Sequence, residues 1–286
     1  MAIRLGVVGN CQASGLALCL QRLYPSAQLV VGDWGRIASA DQAEPIARDL
    51  EICDVVFSQV TRNPAAGALQ TAELSGRVRR LLRWPKLAFS GFHPDVIGYR
   101  PVRTPVGAGH SAIILAGFLL GAPQARTREL FNAYVYGLLG YYDEYAKAEA
   151  FLLQASGSTD MPLDEELPRW RRQGVFMHVP QHPAIGVLWS LARRLGERLD
   201  MGPAASETPP EDPLLASMVW PVYPEIARRL GVPGSLMFKP SGEGEAPVDL
   251  DQLIEGSYRA YAAADPGNLQ LPQALAAAEL LRGVGI

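Results

Sequence analysis

The 286-residue chain is short of cysteine, lysine and histidine, and each shortage removes a class of function. Three cysteines, Cys11, Cys19 and Cys53, are too few and too irregularly spaced for a disulfide framework or a cysteine-rich zinc site, and no catalytic metal is expected. Lysine occurs only at Lys86, Lys147 and Lys239, so nearly all of the 26 basic residues are arginine, and 29 acidic residues leave a net charge of -3. Without a basic excess, nucleic acid is not the expected partner. Long apolar runs are missing as well. The longest, residues 111–122, falls well short of the roughly 20 residues a membrane span needs. The first apolar run ends at Gly9, too early for a signal peptide, so a cytoplasmic protein is expected.

What is present is a core. With 48% hydrophobic and 19% charged residues, the chain can bury a single sizeable domain. Short apolar, β-branched runs at residues 3–8, 27–31, 52–57 and 87–90 read as strands, separated by helix-compatible segments at 12–23, 41–51 and 68–82. This alternation predicts an α/β fold with a three-layer, mostly parallel sheet built from residues 1–100. Residues 101–286 read as a mainly helical elaboration packed on it. Helices are expected over 111–121, 127–139, 142–154 and 184–199, with one further strand at 174–179. Residues 201–213 and 241–247, rich in Pro, Ser, Glu and Gly, read as loops. Arg77, Arg79, Arg80 and Arg83 read as an exposed helix face.

The turn Gly9-Asn10-Cys11-Gln12 lies where open α/β sheets bind ligands, past the carboxyl end of the first strand. It matches neither a P-loop nor the dinucleotide fingerprint. A cysteine that opens a helix meets unpaired backbone N–H groups and the positive end of the helix dipole, both of which favour the thiolate. Such a thiolate attacks acyl carbonyls, and amides from Asn10, Gln12 and Gln59 are candidate donors to the oxyanion that forms. The expected signature is rapid, pH-dependent alkylation with an apparent pKa below the roughly 8.5 of a free thiol. Cys19 and Cys53, inside a helix and a strand, are expected to fill space.

A nucleophilic cysteine needs a base, and the 4 histidines are His93, His110, His178 and His182. His93 and His182 each precede a proline, which holds them extended and suits a side chain projected from a loop. Both are candidates. Asp95 could orient His93, and His182 reaches the site if residues 174–179 join the sheet.

Gly9-Asn10-Cys11-Gln12, Phe92-His93-Pro94-Asp95, the His110-Ser111 pair opening an apolar helix, Leu130-Phe131-Asn132, Gln181-His182-Pro183 and Val219-Trp220-Pro221-Val222-Tyr223-Pro224-Glu225 stand in a characteristic order. Together they resemble the WcbI-type polysaccharide biosynthesis proteins, a family assigned to acetyl transfer in bacterial capsule formation. The resemblance runs over about residues 3 to 265. It implies an SGNH-hydrolase-like α/β fold, with coenzyme A or acetyl-CoA as donor or ligand and a saccharide as acceptor; self-association is compatible with it. In that pattern Cys11 replaces the serine after the first strand and Gln181-His182-Pro183 supplies the base. Val179 stands where the hydrolase pattern has its aspartate, so the orienting carboxylate must come from elsewhere, Asp95 being one candidate. His110 and Ser111 are implied substrate contacts, and Arg100 and Arg103 are candidate clamps for the coenzyme A phosphates. Two other readings keep the same residues: an esterase or thioesterase that uses water as acceptor, and a non-catalytic protein that binds coenzyme A or a glycan.

Overall fold

β1 (Arg4–Gly9) is buried along five of its six residues, and the chain turns through Asn10 and Cys11 directly into α1 (Gln12–Leu23). In the computed structural model, residues 2–37, 39–242 and 244–285 are described; Glu243, within the 241–247 loop expected from sequence, lies outside them. After α1 come β2 (Gln28–Asp33), a 3-10 turn at Ala40–Gln42 that leads into α2 (Ala43–Glu51), and β3 (Val55–Gln59). A second 3-10 segment (Pro64–Leu69), α3 (Thr71–Arg77) and β4 (Leu81–Trp84) follow. The four strands form one parallel sheet in the order β2-β1-β3-β4. From β1 the chain moves first to one side and then to the other, so the order reverses at β1 and β3. Their carboxyl ends, at Gly9 and Gln59, flank the switch point where such sheets open a crevice.

The chain divides into two compact units whose segments interleave along the sequence. The first comprises Met1–Ala88, Ala150–Phe176 and His182–Leu214; the second comprises Phe89–Glu149, Met177–Gln181 and Leu215–Ile286. In the first unit the expected three-layer α/β fold is present. Val8 and Val56 pack on one sheet face against Ala43, Ala47 and Leu50 of α2, while α1 lies along β1 and β2. The second unit contains the antiparallel pair β5 (Val96–Gly98) and β6 (Gly109–Ser111), then α4 (Ala112–Leu119), α5 (Gln124–Glu129) and α6 (Ala133–Leu138). α4 is apolar all round and accordingly packed by α5, α11 and α12, its central position set by composition alone. α7 (Glu144–Gly157) is followed by α8 (Glu166–Gln173), β7 (Met177–Val179), the two-residue β8 (His182–Pro183) and α9 (Ile185–Arg198). α10 (Pro224–Leu230), α11 (Leu250–Ala262) and α12 (Pro272–Gly283) complete the chain.

Four sequence expectations need correction. The fourth strand is Leu81–Trp84, not residues 87–90, because Leu82 and Trp84 turn buried side chains inward and Trp84 Nε1 donates to Val8 O at 3.1 Å. The helix expected over 127–139 is two, since Asn132 caps a new start by accepting from Tyr134 N and Val135 N. The strand at Met177–Val179 does not join the four-stranded sheet. The four arginines form no single helix face: Arg77 ends α3 and pairs with Glu44 and Glu51, while Arg83 lies on β4 and pairs with Asp160.

One buried amide network fixes the turn after β1. Gln12 and Gln59 are both fully buried. Gln59 Oε1 accepts from Asn10 N at 3.0 Å, and Gln59 Nε2 donates to Gln12 Oε1 at 2.8 Å. Gln12 then treats Leu87 as a strand would: its Oε1 accepts from Leu87 N at 3.1 Å and its Nε2 donates to Leu87 O at 2.7 Å. Leu87 therefore needs no strand partner. Gly9 leaves room for this, because a Cβ there would stand 2.9 Å from Gln59 Oε1. Gln12→Leu is expected to strand the Leu87 N–H and C=O and the Gln59 amide, lowering unfolding free energy by about 2–4 kcal/mol in urea titration; a loss under about 0.5 kcal/mol would show that the network is not structural.

Candidate functional site

Cys11 occupies the N-cap of α1, partly exposed, with no side-chain cap of its own. The neighbouring residue does the capping: Asn10 Oδ1 accepts from Gln12 N at 3.1 Å, and Asn10 O accepts from Ala13 N at 2.8 Å. The sulfur is thereby left at the helix terminus without being used to hold it. The turn after β2 lies against the same backbone, since a Cβ on Gly35 would be 3.9 Å from Cys11 N. The adjoining Arg36 is largely exposed and 3.4 Å from the buried Asp33 carboxylate.

A second helix N-terminus adjoins the first. α1 and α9 pack side by side in the same direction: a Cβ on Gly15 would meet Leu188 and stand 4.0 Å from Ile185 Cδ1, while Tyr24 lies against Gly196. Half-buried His182 lies three residues before Ile185, the first residue of α9. Asp212, which sequence reading left inside a surface loop, closes this end. Its Oδ2 accepts from Ile185 N at 2.7 Å and its Oδ1 from Leu214 N at 3.0 Å. Its charge also reaches α1, where burial, reinforced by Asp212, pushes the Cys19 thiol up to about 12. Burial likewise pushes Cys53 up to about 11. Both are thiols at neutral pH, whereas Cys11 alone stands at an exposed helix end. The only sequence signal for Asp212 was a carboxylate directly before Pro213.

The amides of Gln12 and Gln59, expected as oxyanion donors, are instead turned inward to each other and to backbone, as burial requires. Asn10 keeps a half-exposed amide beside Cys11. The remaining sequence candidates belong to the second unit. His93 is 2% exposed, and neither ring nitrogen makes a hydrogen bond of good geometry. Burial drives its pKa down to about 3, with the backbone of Trp220 favouring the charged form and nearby His178 opposing it.

Asp95 does not orient an imidazole. Its Oδ1 accepts from Ile113 N at 3.0 Å and from Tyr141 OH at 2.7 Å, and its Oδ2 accepts from Tyr223 OH at 2.6 Å. Burial raises its pKa, while Ser111, Tyr223, Tyr141 and the Ile113 N–H act in the opposite direction. The carboxylate thus anchors the start of α4. Ser111 caps the same helix by accepting from Ile114 N at 3.1 Å. His110 is a strut between Tyr261 OH at 3.0 Å and the carbonyls of Tyr99 and Val102 at 3.2 and 3.1 Å, and burial lowers its pKa. Arg100 and Arg103 are exposed between β5 and β6. Among the described residues no group of three or more His, Cys, Asp or Glu side chains is placed to hold a metal ion, and no helix is long and apolar enough to cross a membrane.

Comparison with known proteins follows the same lines. A search of curated proteins finds no match. Among solved structures, the chain is similar to one described as WcbI, a novel polysaccharide biosynthesis enzyme, in its native form without a disulfide bond between coenzyme A and a cysteine. That likeness has a TM-score of 0.74 at 14% identity and covers 98% of this chain and 99% of the other, which establishes a shared fold. The family model of the polysaccharide biosynthesis enzyme WcbI matches residues 4–204. The turn after β1, the sheet that carries it and the His182 segment all fall inside that match, and the chain belongs to the WcbI family of polysaccharide biosynthesis enzymes.

Proposed function

We propose that the protein is a coenzyme A-dependent acyltransferase that moves an acetyl or similar acyl group to a saccharide hydroxyl. In this reading Cys11 is the nucleophile, His182 the general base and Asp212 the carboxylate that orients it. The observation that carries the proposal is the pairing of two helix starts: Cys11 stands at the N-cap position of α1, and α9 begins beside it three residues after His182, held by Asp212. The structural neighbour is described as lacking a disulfide bond between coenzyme A and a cysteine, a description that names this ligand and a protein thiol together and so favours coenzyme A here.

The chain's donor set suits such a ligand. Arg36 is exposed next to the Cys11 turn, a cation of the kind that the coenzyme A phosphates require. The bound thioester supplies an activated acyl carbon and a stable thiolate leaving group. His182 takes the Cys11 proton, Sγ bonds to the acyl carbon, and the bond to the coenzyme A sulfur breaks, with the proton passing to that sulfur. The saccharide hydroxyl then bonds to the acyl carbon, His182 takes its proton, the bond to Sγ breaks, and the proton returns to Sγ. Asn10 and the α1 N-terminus stabilise the oxyanion in both halves. Acyl-CoA as donor makes the cytoplasm the site of action.

With acetyl-CoA as donor, release of free coenzyme A should rise when a saccharide acceptor is added. Cys11→Ala should reduce that acceptor-dependent rate about 10²–10⁴-fold with unchanged folding. Release that ignores the acceptor would make the enzyme a hydrolase. Asp212→Asn should lower kcat more than it changes KM and shift the acid limb of the pH–rate profile; equal loss in both constants would remove its orienting role.

His93 gives a pH signature of its own. Its folded-state pKa of about 3 lies below the ordinary value of 6.5, so the unfolded chain binds one more proton between these limits. Stability is therefore unaffected by this group above pH 6.5 and falls as the pH drops through the window. His93→Asn should flatten the stability curve there and leave the acid limb of activity in place; a shifted activity limb would assign the base to His93.

A further inference from the structure

Between α8 and α9 the first unit has a cleft of about 450 Å³ that plays no part in the site at Cys11. It lies along the second half of α9, whereas Cys11 and His182 stand at the N-terminal ends of α1 and α9. Two stripes line it, each with the i, i+3, i+4, i+7 spacing of one helix face: Glu166, Arg169, Trp170 and Gln173 on α8, and Ser190, Arg193, Arg194 and Glu197 on α9. Faces that meet across a helix pair are ordinarily apolar. These are mostly polar, and they meet across the cleft through Trp170 with Ser190 and Glu166 with Arg194.

The charges in the cleft cancel. Three arginines are matched by Glu165, Glu166 and Glu197, and ion pairs join Glu166 to Arg194 at 2.9 Å and Glu165 to Arg169 at 3.5 Å. A phosphate or carboxylate would meet as many acids as bases. Several features suit a ligand of many hydroxyls instead. Paired carboxylates and guanidinium groups offer acceptors and donors side by side, in the geometry that vicinal hydroxyls use. Trp170 also lines the cleft, almost wholly buried, with its Nε1 donating to Ser190 Oγ at 2.8 Å. The volume lies within the roughly 300–1,000 Å³ of small-molecule sites.

We infer that this cleft is a binding site for an uncharged saccharide, separate from the acyl-transfer site, which holds a glycan chain on the enzyme. The inference does not depend on the chemistry assigned to Cys11, because binding is measured without an acyl donor. The test uses the full chain and follows the Trp170 indole N–H resonance, assigned by its loss in Trp170→Phe or its shift in Ser190→Ala. Neutral mono- to trisaccharides of hexoses, and separately inorganic phosphate, are titrated. At least one neutral saccharide should shift the resonance saturably, and Arg169→Ala and Gln173→Ala, both at exposed positions, should weaken it about fivefold or more without lowering Tm. Saccharide binding that leaves the Trp170 resonance unmoved, no saturable shift with any neutral sugar at tens of millimolar, unchanged affinity in both variants, or tighter binding of phosphate than of every sugar would each overturn it.

Discussion

Everything near the proposed chemistry depends on how a buried pair of side-chain amides holds one turn. Gln59 at the end of β3 accepts the Asn10 N–H and donates to Gln12, and Gln12 passes the connection to Leu87. These bonds take up backbone groups at the sheet's carboxyl edge that would otherwise be stranded in a dry interior. They also set the direction in which the chain leaves β1. Asn10 caps α1 in place of Cys11, so the thiol stands at the helix start without serving as its cap. Cys11 thereby has a helix terminus as its electrostatic environment.

In the proposed reaction the two helix starts divide the work of nucleophile and base. α1 carries Cys11, and α9 begins just past His182, with Asp212 reaching from the loop after α9 to hold that beginning. A carboxylate bound by two backbone N–H groups is fixed in place, which is what a group that orients an imidazole needs. Asp95, the carboxylate that sequence adjacency favoured, is fixed equally firmly but for another purpose: two tyrosines and a helix start surround it. Position in the chain said nothing about that difference.

Much of this was legible in the residues and some was not. The strand, turn and helix around Cys11 were readable because an apolar β-branched run stops at a Gly-Asn pair and a helix-compatible segment follows; α1 has the bounds expected of it. Gln12 and Gln59 were recognised as unusual, but an amide turned toward a ligand and an amide turned toward the core look alike in a sequence. The fourth strand was misplaced by six residues, since Leu87 has its backbone satisfied by a side chain, an arrangement with no periodicity to read. The break at Asn132 was signalled by a good N-cap residue that the apolar pattern around it outweighed. Asp212 lay hidden in a Pro- and Ser-rich stretch whose composition indicated only surface.

The chain belongs to a family of polysaccharide biosynthesis enzymes, and the chemistry proposed for it centres on Cys11. The central claim is that the acyl group passes through Cys11. Rapid chemical quench of the enzyme with acetyl-CoA, followed by peptide mass mapping, tests this most directly. The account predicts an acetyl adduct on Cys11 that forms within one turnover, decays when a saccharide acceptor is added, and fails to form in His182→Ala. Full acceptor acetylation by Cys11→Ala at the native rate, with no adduct at Cys11 in the native enzyme, would contradict it.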